Sequence, residues 1–241
     1  MNGPGAADLD FADPALAKSV RAGLDRVEER LAAAVHTDAP FIAEPARHLV
    51  VAGGKRFRPL LVLLAAHFGD PDAPGVIPSA VVVELTHLAT LYHDDVMDEA
   101  DVRRGAVSAN TRWTNTIAIL TGDFLFARAS DTLADLGPEA VRLQARTFER
   151  LVTGQIRETV GPEEGADPVE HYLRVVAEKT GSLIATSARF GAMFAGADRS
   201  VIEALQRYGE VVGTAFQLSD DLLDITSLQA QSGKTPGTDL R

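Results

Sequence analysis

Cysteine is absent from the 241 residues, which excludes disulfides and thiolate metal sites and points to a cytosolic setting. Positive charge is in short supply: 23 lysines and arginines stand against 34 aspartates and glutamates, a formal net charge of -11. Such a surface disfavours nucleic acid and anionic lipid as partners. No apolar run reaches the roughly 18 residues of a transmembrane helix. Residues 1–13 are rich in Gly, Ala and Asp and lack a basic region followed by an apolar one. They read as a frayed, flexible terminus rather than a signal peptide. There is no fixed-period repeat, no dinucleotide fingerprint, no Ser or Cys nucleophile motif and no zinc-like histidine spacing. The glycine-lysine run at Gly53-Gly54-Lys55 is not a P-loop, because its spacing is wrong and no Ser or Thr follows the lysine.

What is present favours helix. Ala, Leu, Val, Glu and Arg dominate, and 46% of the residues are apolar, enough for one sizeable core. Asp13-Pro14 reads as an N-cap followed by proline at the first helical position. Leu16, Val20, Leu24, Val27 and Leu31 then recur at helical spacing to about Val35. Breaks are expected at Gly53-Gly54, Gly69 to Pro78, around Gly105, Gly137-Pro138, Gly161 to Pro168, Gly196 to Asp198, and from Ser232 onward. Val81-Val82-Val83 alone suits a strand, but its flanks continue as helix. Long helices with short connections predict an all-α antiparallel bundle, and no composition shift marks a second domain within residues 1–241.

Two Asp-Asp-x-x-Asp clusters carry the chemistry: Asp94-Asp95-Val96-Met97-Asp98 and Asp220-Asp221-Leu222-Leu223-Asp224. Each follows a mainly apolar helical stretch. Helical positions four apart share a face, so Asp94 pairs with Asp98 and Asp220 with Asp224. Asp95 and Asp221 are turned by about 100° and suit orienting a neighbour or holding a water. Like charges at this spacing repel unless a cation joins them. Magnesium fits, since it takes oxygen ligands and often combines one or two carboxylates with substrate phosphates. A solvated acidic helix end is the bland alternative for either cluster taken alone.

Candidate phosphate-binding groups lie nearby in sequence. Arg103-Arg104 follow the first cluster. Lys55 and Arg58, three apart, can share one face after the Gly53-Gly54 turn. Arginine offers forked bonds to phosphate and lysine a point charge. His87 lies on the helical face of Asp94, as a ligand-facing or an ordinary core histidine. Lys179-Thr180 sits in an apolar helical segment, where a diphosphate would partner the lysine, or its stem would snorkel to water. Gln217, three residues before Asp220, is within reach of the same site or is a plain helix position.

Read in order, Gly-Gly-Lys-Arg-Phe-Arg-Pro at 53–59, His-Asp-Asp-Val-Met-Asp-Glu-Ala-Asp-Val-Arg-Arg-Gly at 93–105, Lys179-Thr180, Phe216 to Asp224, and Gly-Lys-Thr-Pro-Gly-Thr-Asp-Leu at 233–240 resemble the trans-isoprenyl (polyprenyl) diphosphate synthase family. The resemblance runs from about residue 15 to the last residue. It implies a helical bundle around a deep central cavity, a cytoplasmic homodimer, and a magnesium-dependent prenyltransferase that couples an allylic diphosphate to isopentenyl diphosphate. By matched position it implies a catalytic set of Asp94, Asp95, Asp98, Lys179, Asp220 and Asp221. Asp94 and Asp98 resemble ligands of two magnesium ions. Asp220 resembles the ligand of a third, with Asp224 near its water shell. Arg103, Lys179, Thr180, Gln217 and Lys234 would hold the allylic diphosphate. Lys55, Arg58, His87 and Arg104 would hold isopentenyl diphosphate.

The resemblance also bears on product length. In the family, bulky aromatics just before the first aspartate cluster floor the cavity near fifteen carbons. Here those positions hold Ala89 and Thr90, so a long-chain product of roughly thirty-five to fifty carbons is expected, unless the two merely pack against a neighbouring helix. Family members continue past the Gly-x-Asp-Leu segment, so the chain is expected to lack C-terminal helices, with residues 232–241 mobile. The alternatives are a short-chain (farnesyl or geranylgeranyl) synthase, a class I terpene cyclase, or a non-catalytic partner subunit. An intact second aspartate cluster and the Lys55/Arg58 segment disfavour the last two.

Overall fold

A computed structural model describes the backbone over residues 11–226 and side chains over residues 11–223. The expected all-α class holds. Of the stretch 1–13 expected to fray, residues 1–10 lie outside the described residues, while Phe11 packs against the core. Asp13 caps helix α1 (Pro14–Ala34), accepting from the backbone N–H of Ala15 and Leu16 with Pro14 at the first position. Helices α2 (Pro40–Val51), α3 (Phe57–Ala66) and α4 (Val76–Met97) follow. After a hairpin come α5 (Ala109–Arg112), α6 (Asn115–Leu136) and α7 (Pro138–Val160). The chain then runs through α8 (Pro168–Val176), a π-helical turn (Ala177–Gly181), α9 (Ser182–Phe194) and α10 (Arg199–Thr226). Among the described residues no helix is long and apolar enough to cross a membrane.

Helix α4 is the centre of the molecule, packed by α1, α3, α6 and α9. Val81, Val82, Val83, Leu85, Leu88, Ala89 and Tyr92 are all buried along it. A helix apolar on every side belongs inside a core, which is why the three consecutive valines are helical and not a strand. Burial of each such side chain contributes about 1.5–3 kcal/mol. The helix starts at Val76, earlier than the expected break through Pro78, because proline in a first turn loses only an N–H that has no helical acceptor.

One short hairpin interrupts the described helices. Strands β1 (Val102–Arg103) and β2 (Ala106–Val107) pair antiparallel, with Arg103 opposite Ala106. The two loop residues, Arg104 and Gly105, have φ of +54° and +75°. Positive φ at both positions matches the twist of a two-residue hairpin, and glycine makes the second position cheap.

Tyr92 ties α4 to α2. Its hydroxyl donates to the Pro45 carbonyl (2.5 Å) and accepts from the Leu49 N–H (3.2 Å), the two groups that would otherwise bond to each other along α2. Burial pushes the phenol pKa up, so it remains protonated. Tyr92→Phe is expected to cost about 1–2 kcal/mol, since the backbone pair can partly close on itself. Denaturant unfolding checks this, and an unchanged midpoint would mean the hydroxyl contributes nothing net.

Candidate active site

The first aspartate cluster forms the last turn of α4, with Asp98 as its C-cap. Asp94 is half-buried. Burial pushes its carboxyl up to about 6, and the charges of Asp98 and Glu158 push the same way against the pull of Lys179 and Arg103. Asp95 faces inward and is fully buried. It accepts from Arg103 Nε at 2.5 Å, while its Oδ2 is buried with no hydrogen-bond partner. Arg103 also lies 3.8 Å from Asp98. One buried carboxylate therefore holds an arginine beside the outward-facing pair.

The hairpin sends its second arginine elsewhere. Arg104 donates to the carbonyls of Leu49 (3.3 Å) and Gly53, and lies 3.6 Å from Glu84. Gly54 makes room: a Cβ there would stand 2.9 Å from the Arg104 guanidinium. Arg56, the N-cap of α3 at φ +47°, donates to Glu84 at 3.0 Å, to the Val50 carbonyl at 2.9 Å, and to Glu28 of α1. Arg58 projects among these groups. Burial lowers its pKa to about 10, Glu84 and Asp94 oppose that, and its Nε is buried without a partner. His87 is held well below the usual imidazole range, first by burial and then by Arg58, Arg104, Arg103 and Arg56, so it is neutral. Lys55 is exposed at the edge of the group.

Across from α4, the π-helical turn presents Lys179 and Thr180. Such turns shift one residue out of helical register and often mark functional positions. Lys179 bonds Glu158 of α7 at 2.5 Å, and Arg157 bonds Glu178 at 3.0 Å. Thr180 donates to Gln217 at 2.9 Å, and Gln217 donates to Asp221 at 2.8 Å. The Tyr172 hydroxyl also donates to Asp221, and burial together with that carboxylate pushes the phenol up to about 12. Asp221 thus has two donors, and the neighbouring Asp220 is exposed. Phe57 of α3 stacks on Phe216 of α10 at 4.7 Å, which brings the basic group to the second cluster.

The side chain of Asp224 and the whole of Lys234 lie outside the described residues, as does the segment 232–241. Ala89 is fully buried, its carbonyl close to Gly122 of α6, and Thr90 donates to the His87 carbonyl at 2.8 Å. Two surface hollows, of about 550 and 590 Å³, lie elsewhere, one along α1 and one at the α6–α7 junction.

The structure thus joins Asp95, Arg103 and Asp98 at the end of α4 and Thr180, Gln217 and Asp221 beside the π-helical turn, with Lys179 close enough for its charge to act on Asp94 and with the charge of Asp94 acting on Arg58. Sequence reasoning missed Glu84, Arg56, Glu158 and Tyr172. Glu84 did leave a signal, a lone carboxylate inside the apolar run of α4, where an unpaired charge is almost never tolerated. Tyr172 and Glu158 left none, because both meet the site only across helices.

Among the described residues no three carboxylates or imidazoles stand close enough to enclose a metal ion. Two carboxylates on one helix end, one of them reluctant to ionise without a cation, still fit magnesium, whose remaining ligands are commonly water and phosphate oxygens.

Residues 39–241 match the polyprenyl synthetase family. A nonaprenyl diphosphate synthase of Mycobacterium tuberculosis is 54% identical over 236 residues, covering 98% of this chain and 70% of that protein. Component 2 of a heptaprenyl diphosphate synthase from Geobacillus stearothermophilus is 43% identical, covering 90% of this chain and 68% of that one. Among solved structures, a geranylgeranyl pyrophosphate synthase from Corynebacterium glutamicum, complexed with calcium and isoprenyl diphosphate, is 50% identical with a TM-score of 0.85. It covers 97% of this chain and 71% of that one. The helical fold and these matches together show that the chain belongs to the polyprenyl synthetase family.

Proposed function

We propose that the protein is a magnesium-dependent trans-polyprenyl diphosphate synthase that adds successive isopentenyl diphosphate units to an allylic diphosphate, giving a long-chain product and pyrophosphate. The observation that carries this reading is the connection of the two acidic helix ends. Lys179 influences Asp94, and the adjacent Thr180 leads through Gln217 to Asp221. A group linked in this way suits a diphosphate bound between the two clusters.

In this reading Asp94, Asp98 and Asp220 would hold magnesium, three ions when substrate is bound, with Asp224 assigned to the same ions. Magnesium supplies charge stabilisation to the departing diphosphate. Arg103 is aimed by Asp95 at the same oxygens, where negative charge grows as the carbon–oxygen bond breaks. Lys179 leaves Glu158 to join them, and Thr180, Gln217 and Lys234 complete the allylic site. Lys55, Arg58, His87 and Arg104 hold isopentenyl diphosphate. The unpartnered Nε of buried Arg58 supports that role, because a buried guanidinium left unpaired is costly until an anion arrives. The double bond of isopentenyl diphosphate then attacks the allylic cation, and a proton is lost to the released diphosphate. Apolar walls of a central cavity keep water from the cation.

Residues 1–241 are read as one domain of a cytoplasmic homodimer. The exposed Ile119 and Leu120 on α6 and Ile156 on α7 support an apolar contact between copies. Chromatography of products formed from labelled isopentenyl diphosphate, magnesium and primers of several lengths tests the reaction. Absence of isopentenyl-dependent chain growth would overturn it. Long-chain length is read from Ala89 and Thr90, and a geranylgeranyl-length product is the competing outcome. Ala89→Phe is expected to shorten the product by several isoprene units. A product of unchanged length in that variant would remove Ala89 from the floor of the cavity.

A further inference from the structure

Glu84 lies on α4, three residues before His87 and ten before Asp94. It is 1% exposed, between Val83 and Leu85 in a mainly apolar stretch of the helix. An ionised carboxylate at such depth needs cationic partners. Glu84 has them from two separate segments, the start of α3 and the hairpin loop. Arg56, from the cap of α3, donates at 3.0 Å. Arg104, from the hairpin loop, stands at 3.6 Å. The charge of Glu84 also acts on Arg58, favouring its charged form against burial. Arg56 is further anchored by Glu28 of α1.

Arg56 is the guanidinium with the most protein partners. It meets two carboxylates and backbone carbonyls, and it points away from the aspartate clusters toward α1. Arg58 keeps an unpartnered Nε. Three arginines against the two carboxylates Glu28 and Glu84 leave one net positive charge in the group. Removing Glu84 would leave three neighbouring guanidiniums without their closest anion on α4, Asp94 acting on Arg58 from the end of the same helix, and Arg58 and Arg104 would separate.

We infer that Glu84 is a positioning residue: a buried counter-ion, locked by Arg56, that holds Arg104 and Arg58 together as the receptor for the diphosphate of isopentenyl diphosphate. It touches no reacting atom and acts only through the two arginines. The inference rests on the functional reading above for the identity of that ligand.

The test compares Glu84→Gln and Glu84→Asp with wild type in steady-state kinetics, varying each substrate separately. Glu84→Gln is expected to raise the KM for isopentenyl diphosphate about 10- to 100-fold, in the range seen when a supporting group behind a ligand is lost. The KM for the allylic substrate and kcat at saturation should change less than about threefold, and Glu84→Asp should recover most of the loss. Equal losses in both KM values and kcat, or no change in any, would overturn the inference. Should Glu84→Gln fold poorly, the double variant Arg56→Gln/Glu84→Gln removes the locked pair as neutral partners and is expected to show the same selective KM defect. A wild-type KM in that double variant also overturns it. A second arm measures binding of inorganic pyrophosphate calorimetrically in chelator, where the aspartate clusters hold no metal and Arg103 and Lys179 are paired with Asp95 and Glu158. Weakened pyrophosphate binding in Glu84→Gln supports the positioning role even if wild type shows no chain growth, in which case the functional reading alone fails. Undiminished binding overturns the role.

Discussion

Asp94→Asn is expected to lower turnover by about 100- to 1,000-fold, the usual cost of losing one preorganised group at a developing charge. The same substitution should stabilise the metal-free protein at neutral pH. The sign follows from burial. The Asp94 carboxyl holds its proton up to about pH 6 in the folded state, against a reference value of 3.8. Between those values the folded chain binds more protons than the unfolded one, so stability falls as pH rises, and the full cost is present above pH 6. Asparagine is nearly the same shape and carries no charge, which removes that cost. Thermal unfolding in chelator should therefore show the wild-type midpoint dropping between pH 4 and 7 relative to Asp94→Asn. Adding magnesium and pyrophosphate should reverse the order, because wild type gains a ligand that the variant binds poorly. A variant that keeps more than a tenth of wild-type turnover, or that is less stable than wild type in chelator at pH 7, would contradict this account.

That balance between function and stability was partly readable from spacing. Carboxylates four apart on a helix must share a face, so the outward pair Asp94 and Asp98 and the inward turn of Asp95 follow from helical geometry. The helix boundaries at Asp13-Pro14 and Gly137-Pro138 were legible because caps and prolines act locally. Other features depend on contacts between distant segments. Arg104 adopts positive φ because the hairpin and the Glu84 and Gly53 contacts hold it there, and nothing in its own chemistry favours that conformation. Arg56 sits between the phosphate-binding candidates Lys55 and Arg58, yet its carboxylate partners are two glutamates 28 residues away on either side. The π-helical turn at Lys179 has no local marker either. It follows from α7 and α10 pressing on the same five residues from both sides.

The pressure from α10 gives the second large effect. Gly213 and Gly209 lie four apart on α10 and face Gly181 and Ala185, themselves four apart. A Cβ at Gly213 would stand 2.8 Å from the Gly181 Cα and 3.1 Å from the Ile184 Cβ. The first of these is backbone, so no flexible side chain can swing aside. Gly213→Val improves helix propensity by less than about 1 kcal/mol. Overpacking against a fixed backbone costs about 1–3 kcal/mol or more, so the clash wins. The expected net loss is about 2 kcal/mol in denaturant unfolding. Activity should fall further than stability alone predicts. The Thr180–Gln217 bond spans this seam at 2.9 Å and the Gln217–Asp221 bond continues from it, so a helix displaced by the added methyls carries Asp220 and Asp221 away from Lys179. A misplacement of about 1 Å at a reacting group can cost on the order of 100-fold. Turnover of Gly213→Val, measured well below its unfolding transition, is therefore expected to drop about 10- to 100-fold. Wild-type turnover in a folded Gly213→Val protein would mean that the close approach of α10 to the π-helical turn does not set the distance between the two acidic helix ends.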